Sequence, residues 1–160
     1  MGSVGPQDEK LSAAGLRIGV IASRYNPKVC DGLLSGALQE LNRLGLAKEK
    51  VLIHRVPGAF ELPLMAKLLA QHGDVDAVIC LGAVIRGDTA HFDYVCSGAT
   101  QGLQLAMLET GIPMAFGLLT TDTKEQALAR AANDEHNKGL EAAQTAVEMA
   151  QRRRKILGVR

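Results

Sequence analysis

Ala77-Val78-Ile79-Cys80-Leu81-Gly82-Ala83-Val84-Ile85-Arg86-Gly87-Asp88-Thr89-Ala90-His91-Phe92-Asp93-Tyr94 is the stretch that decides the fold. Its apolar run, Ala77 to Leu81, gives way to a segment with two glycines, a hydroxyl, a histidine and two aromatics. An apolar, helix-like stretch follows at once. A short buried strand, a turn and a helix in direct succession is the repeating unit of a parallel sheet with helical crossovers. Within the turn, Gly87 lets the backbone approach an anion closely, and Thr89 adds a hydroxyl donor. His91, two residues on, has an imidazole that can carry protons. An anion cradle beside a proton carrier suits chemistry on a phosphorylated metabolite.

The same alternation extends in both directions. Leu16 to Ala22 reads as the first strand, and a helix follows from about Lys28 to Leu44 with Gly45 as its stop. Val51 to Val56 is the second strand, and Pro63 suits the first turn of a helix reaching about Gln71. Val75 to Leu81 is the third strand, and Asp93 to Glu109 the third helix, ended by Gly111. Ile112 to Leu119 forms the fourth strand. Thr123 and Gln126 have the spacing of a capping box for a short helix to about Ala131, and a last helix spans roughly Asn137 to Arg154. The order implies an α/β three-layer sandwich, a four-stranded parallel sheet of flavodoxin-like order with helices on both faces. Residues 1–15 read as a flexible N-terminal segment, 16–155 as one domain, and 156–160 as a C-terminal tail.

Composition narrows the function classes. The chain's 160 residues fit one domain, and 47% hydrophobic with 22% charged residues is ordinary for a globular protein. A net charge of +1 gives no reason to expect nucleic acid or a membrane surface as partner. The one basic block, Arg152-Arg153-Arg154-Lys155, reads either as a cationic last helical turn or as a polyanion-binding tail. No run reaches the length of a membrane span, and the first fifteen residues lack the regions of a signal peptide. Cys30, Cys80 and Cys96 have no metal-ligand spacing, so buried thiols in a reducing cytoplasm are expected, with no metal site.

A sheet of this kind binds ligands beyond the carboxyl ends of its strands. The chain's five aromatics, Tyr25, Phe60, Phe92, Tyr94 and Phe116, all fall in those segments. They read as stacking groups for a planar ligand, or more plainly as caps on the edge of the core. Glu61 opens a helix, where it either satisfies free amides or accepts hydroxyls of a polar ligand. Arg130 and Lys138 flank the loop before the last helix; each is either a solvated charge or a contact for phosphate, from this chain or a neighbour. His91 is the best catalytic candidate. His54, His72 and His136 have weaker surroundings.

Four motifs in register, GAVIRGDTAHFDYV at 82–95, VPGAFELP at 56–63, FGLLTT at 116–121 and NKG at 137–139, resemble lumazine synthase. The resemblance covers about Leu16 to Met149. It implies a cofactor-free transferase of riboflavin biosynthesis. Such an enzyme condenses 5-amino-6-(D-ribitylamino)uracil with 3,4-dihydroxy-2-butanone 4-phosphate, releasing phosphate and water. By motif, Tyr25 would stack on the pyrimidine with Asn26 beside it. Ala59, Phe60 and Glu61 would hold the ribityl chain, and Ala83, Val84 and Ile85 would line the heterocycle. Gly87, Asp88 and Thr89 would bind the phosphate, with His91 transferring protons. Phe116 and Arg130 would reach the site of an adjacent subunit, and Lys138 is a further candidate there.

The resemblance also implies homopentamers, with a sixty-subunit icosahedral shell favoured by the short loop at 131–136, and riboflavin synthase as a candidate guest. Two departures stand out. Tyr25 replaces the family's usual Phe or Trp, and the loop Ala131-Ala132-Asn133-Asp134-Glu135-His136 replaces a glycine- and lysine-containing form. The competing readings are a non-catalytic lumazine- or flavin-binding shell protein and a flavodoxin-like electron carrier. The first should lack His91 or the phosphate groups. The second should carry a hydroxyl- and glycine-rich loop after the first strand, where this chain has SRYNPK.

Overall fold

The protein is described by a computed structural model covering residues 10–159. Four strands, β1 (Ile18–Ser23), β2 (Val51–Val56), β3 (Ala77–Ile85) and β4 (Met114–Thr121), form a parallel sheet in the order β2-β1-β3-β4. This is the flavodoxin-like order expected. The helices are α1 (Pro27–Arg43), α2 (Leu62–His72), α3 (His91–Thr110), α4 (Lys124–Ala129) and α5 (Lys138–Leu157). Short 3-10 turns at Lys48–Lys50 and Ala59–Glu61 precede β2 and α2.

Strand alternation divides the core in two. Ile18, Val20, Ala22, Ile79 and Leu81 face α1 and α5, whereas Ile21, Val78 and Cys80 face α2 and α3. The central strand β1 is buried along its whole length, as a parallel strand covered on both sides must be. The edge strand β2 is mostly open, with Ile53, His54 and Arg55 exposed.

Several boundaries differ from the sequence reading. β3 does not end at Leu81 but continues through Ile85, paired with β4 as far as Thr121. Gly82 is therefore a strand residue. A side chain there would come within 2.9 Å of Leu118 Cδ1 and 3.1 Å of Ser23 Oγ, so glycine admits close packing rather than a turn. α3 begins at His91, two residues earlier than expected, and ends at Gly111 in the left-handed region at φ 65°. α5 runs on to Leu157, so Ile156 and Leu157 of the expected tail are helical.

Of the N-terminal segment expected to be flexible, residues 1–9 lie outside the described residues. Within residues 10–15, Ala13 is buried, and its amide donates to the Leu44 carbonyl at 2.8 Å. Thr123 caps α4 as the spacing predicted, accepting from the Gln126 amide at 3.2 Å.

Candidate active site

The carboxyl ends of β1 and β3 open onto a cleft of about 450 Å³. One wall is the turn after β1. Arg24 and Tyr25 donate their amides to the Pro57 carbonyl, each at 3.1 Å, which ties this turn to the one after β2. Asn26 adopts the left-handed conformation, φ 56° and ψ 57°, and its side-chain amide donates to the Ala83 carbonyl at 3.0 Å. The two turns and β3 are thereby held at one spacing.

Tyr25 is 67% exposed, yet its ring has a fixed seat. A Cβ on Gly58 would stand 2.8 Å from Tyr25 Cδ2, so the ring lies directly on the Gly58 backbone. Phe60 is seated the same way on α3, where a Cβ on Gly98 would stand 2.7 Å from Phe60 Cε2. Glu61 uses one carboxylate oxygen, Oε2, to accept the Gly58 amide at 2.9 Å. The plain reading of Glu61 as an amide acceptor therefore holds for Oε2, and Oε1 is left for another donor.

The cleft brings together Tyr25, Asn26, Ala59, Phe60, Glu61, Ala83, Val84, Ile85 and His91. It also takes in Gly58, Val95 and Tyr94; the sequence reading gave the first two no place in the site, and Tyr94 one only as a stacking or edge-capping aromatic. Tyr94 and Val95 follow once α3 starts at His91, because residues three and four further on share its face. Gly87, Asp88 and Thr89 form the exposed turn leading into α3. Thr89 Oγ1 accepts the His91 amide at 3.4 Å, and the N-cap residue, Ala90, has no side-chain oxygen to offer. The first-turn amides and the dipole of a twenty-residue helix thus face this turn and favour an anion there.

The cleft's lining does not include Gly87, Asp88 or Thr89, nor does it bring in Phe116, Arg130 or Lys138. Phe116 points outward from β4, 49% exposed, and lines a separate hollow of about 320 Å³ with Cys96, Ser97, Thr100, Gln101 and Thr120. Arg130 closes α4 and donates Nη1 to the Gln126 carbonyl at 3.0 Å. Among the described residues it has no carboxylate partner. The Lys138 ammonium pairs with Glu141 at 2.6 Å.

Comparison with known proteins bears on what this cleft serves. The sequence profile described as 6,7-dimethyl-8-ribityllumazine synthase matches residues 15–154. The chain belongs to the 6,7-dimethyl-8-ribityllumazine synthase family. Relatives bearing that name come from several organisms. One from Syntrophus aciditrophicus is 52% identical over 147 residues, covering 92% of this chain and 96% of its own. One from Desulfatibacillum aliphaticivorans is 53% identical over 139 residues, 87% of this chain and 90% of its own. One from Salinibacter ruber is 51% identical over 140 residues, 88% and 90% respectively.

For a lumazine synthase family member, the NKG motif has a structural account. Asn137 is buried, accepts the Gly139 and Leu140 amides as N-cap of α5, and donates to the Gly32 and Ala132 carbonyls. A Cβ on Gly139 would stand 1.9 Å from the Leu33 carbonyl oxygen, so only glycine lets α5 approach α1 so closely. The departure at 131–136 caps itself: Asp134 Oδ1 accepts the His136 amide at 2.8 Å.

The basic block is engaged inside the chain. Arg154 forks onto Asp76 at 2.8 and 2.9 Å, Arg153 donates to the Gly111 carbonyl, and Arg152 pairs with Glu148. These contacts favour the helical-turn reading over a polyanion tail.

The thiols are poor nucleophiles. Burial raises Cys30 despite the opposing hydrogen bond from Ser23, and pushes Cys80 to about 12. Burial, with the Asp93 charge behind it, also raises Cys96, which is half-buried rather than fully buried as expected. Cys30 Sγ instead donates to the Tyr25 carbonyl at 3.1 Å and supports the aromatic turn. Among the described residues no three His, Cys, Asp or Glu gather as a metal site, and no helix is long and apolar enough to cross a membrane.

Proposed function

We propose that this chain condenses 5-amino-6-(D-ribitylamino)uracil with 3,4-dihydroxy-2-butanone 4-phosphate, giving 6,7-dimethyl-8-ribityllumazine, phosphate and water in the penultimate step of riboflavin biosynthesis. The observation that carries the reading is the convergence on one cleft of a seated aromatic, a half-used carboxylate, a strand edge and a histidine at a helix start. Tyr25 stacks on the pyrimidine with Asn26 at its side. Oε1 of Glu61 accepts ribityl hydroxyls beside Ala59 and Phe60, and the backbone of Ala83, Val84 and Ile85 meets the heterocycle.

The Gly87–Asp88–Thr89 turn holds the ketone's phosphate, through amides and the Thr89 hydroxyl. His91 takes and returns protons as the amine adds to the carbonyl and phosphate departs. Neither step needs a strong nucleophile. Imine formation and loss of a good leaving group depend on orientation and proton transfer, which accords with the absence of a thiolate in the cleft.

Phe116 and Arg130 complete the cleft of an adjacent subunit, with Lys138 nearby. A contact in which one surface meets a different surface of the next copy builds a ring where its rotation closes, and a pentamer is the proposed ring. Exposed Leu64, Leu68, Leu105 and Leu108 on α2 and α3 supply apolar surface for such an interface. Sixty-subunit shells are the proposed higher assembly, and three free thiols agree with a cytoplasmic setting. The deciding assay mixes the two substrates and follows lumazine absorbance. Folded, oligomeric protein that forms no lumazine would sink the reading.

A further inference from the structure

Arg86 stands between β3 and the Gly87–Asp88–Thr89 turn, and its side chain has no role in the site described so far. Its guanidinium is committed in three directions. Nε donates to Asp122 Oδ1 at 2.9 Å, Nη1 donates to Asp93 Oδ1 at 3.2 Å, and Cζ lies 4.2 Å from the centroid of the Phe92 ring. Its own amide donates to the Thr121 carbonyl at 2.9 Å. The two carboxylates belong to different elements: Asp93 to the first turn of α3, and Asp122 to the corner between β4 and α4.

The turn that follows has little else to hold it. Gly87, Asp88 and Thr89 are all exposed, and a Cβ on Gly87 would meet nothing within 4 Å. Packing therefore does not fix the direction of its amides. A guanidinium can, because its planar fork accepts partners only at set angles. We propose that Arg86 is a positioning residue for the phosphate subsite: it binds no phosphate itself, and it clamps the Gly87–Thr89 turn between α3 and the β4–α4 corner. This rests on the reading that the turn holds the ketone's phosphate. The same corner leads on to Arg130, since the Asp122 amide donates to Gln126 Oε1 at 3.0 Å and Arg130 donates to the Gln126 carbonyl.

The ion pairs are largely exposed, with side-chain exposure of 44% for Arg86, 61% for Asp93 and 68% for Asp122. Pairs that open contribute little stability. Breaking the clamp should therefore change binding and leave unfolding nearly untouched.

The test uses the assembled full chain and three variants, Arg86→Gln, Arg86→Lys and Asp122→Asn. Arg86→Gln and Asp122→Asn should each raise the KM for the phosphorylated ketone by about tenfold, with the pyrimidine KM and the unfolding midpoint nearly constant. Inorganic phosphate, titrated calorimetrically, should bind more weakly in parallel. The double variant should be no worse than Arg86→Gln alone, because losing the guanidinium already removes its link to Asp122. Lysine should rescue only in part, since a point charge cannot fork between two carboxylates.

A direct phosphate ligand predicts the opposite sign for Asp122→Asn, because losing the carboxylate would free Arg86 to bind. Tighter phosphate binding in Asp122→Asn, or unchanged binding in both variants, overturns the proposal. If Arg86→Gln fails to assemble, Asp122→Asn decides alone. Phosphate calorimetry reads the clamp without turnover, so a wild-type chain that makes no lumazine would strike the function and leave this measurement standing.

Discussion

The side-chain amide of Asn26 reaches across the sheet end to the carbonyl oxygen of Ala83, 3.0 Å away. It does so from a left-handed backbone that a non-glycine residue seldom adopts, φ 56°. Asparagine tolerates that conformation, and here its amide converts it into a tether between the Tyr25 turn and β3. Asn26→Asp places a carboxylate against the carbonyl and should lower stability by about 1 kcal/mol or more. It should also raise the KM for the pyrimidine, because the stacking turn is released. Asn26→Gly keeps the backbone without strain and loses only the bond, so its effect on both should be smaller. Unfolding midpoints and steady-state kinetics for the two variants check this; an Asn26→Asp chain with wild-type kinetics would show that the tether does not govern the cleft.

Gly58 is predicted to matter through Tyr25 rather than through its own backbone, which is extended at φ −140° and open to any residue. An alanine Cβ there would lie 2.8 Å from Tyr25 Cδ2 and 3.0 Å from Cε2. The exposed ring can swing away, so the fold should tolerate Gly58→Ala with little loss of unfolding temperature. The stacking seat should not survive. We expect a several-fold rise in pyrimidine KM, about 1 kcal/mol, with the ketone KM unchanged. Tyr25→Phe keeps the stacking ring and should lie close to wild type. An equal rise for both substrates would indicate general distortion of the cleft.

The alternation of strands and helices was legible in the sequence because apolar periodicity reports which faces are buried, and the capping signals at Thr123 and Gly111 fell where the chain uses them. Glycine misled at Gly82, where the residue serves contact with Leu118 and Ser23 rather than a turn. The true break, Gly87, has open space around it. A single residue type thus carried two meanings that only tertiary packing separates. The motifs at 56–63 and 82–95 supply residues to the cleft, whereas those at 116–121 and 137–139 do not. The motifs did not reveal that Gly58 and Gly98 are seats for Tyr25 and Phe60, because those contacts join segments distant in the chain. Arg86 likewise carried no visible sign of its two acids.

Glu40 gives a pH dependence with a definite sign. Its buried carboxylate accepts Arg43 at 2.6 and 2.7 Å and Gln144 at 2.8 Å, linking α1 to α5. The Arg43 hydrogen bonds lower its pKa below the ordinary 4.5, outweighing burial, with Gln144 assisting. A carboxyl that ionises more readily when folded stabilises the fold above its unfolded pKa, and loses that contribution as pH falls through the folded value. Glu40→Gln should therefore unfold at lower temperature than wild type near pH 7. The gap should narrow below about pH 4.5 as the wild-type carboxyl protonates. A gap that stays constant down to about pH 3 would assign the difference to packing alone.

The separation of His91 from Phe116 and Arg130 leads to a test of shared sites. His91 lines the cleft, whereas Arg130 ends α4 outside it and Phe116 lines a different hollow. If Arg130 serves the neighbouring cleft, His91→Ala and Arg130→Ala damage different halves of a site. Alone, His91→Ala should slow turnover by about a hundredfold without abolishing it, since orientation survives the loss of a proton carrier. Arg130→Ala should chiefly raise the KM for the phosphorylated ketone. Co-expressing the two variants in equal amounts should regenerate intact sites wherever an Arg130→Ala cleft meets an arm from a His91→Ala subunit. In a randomly mixed ring about a quarter of the sites meet that condition. At ketone concentrations well below the Arg130→Ala KM, mixed assemblies should reach about a quarter of wild-type activity, far above either parent. Activity no greater than the mean of the parents would place both residues in one subunit's site.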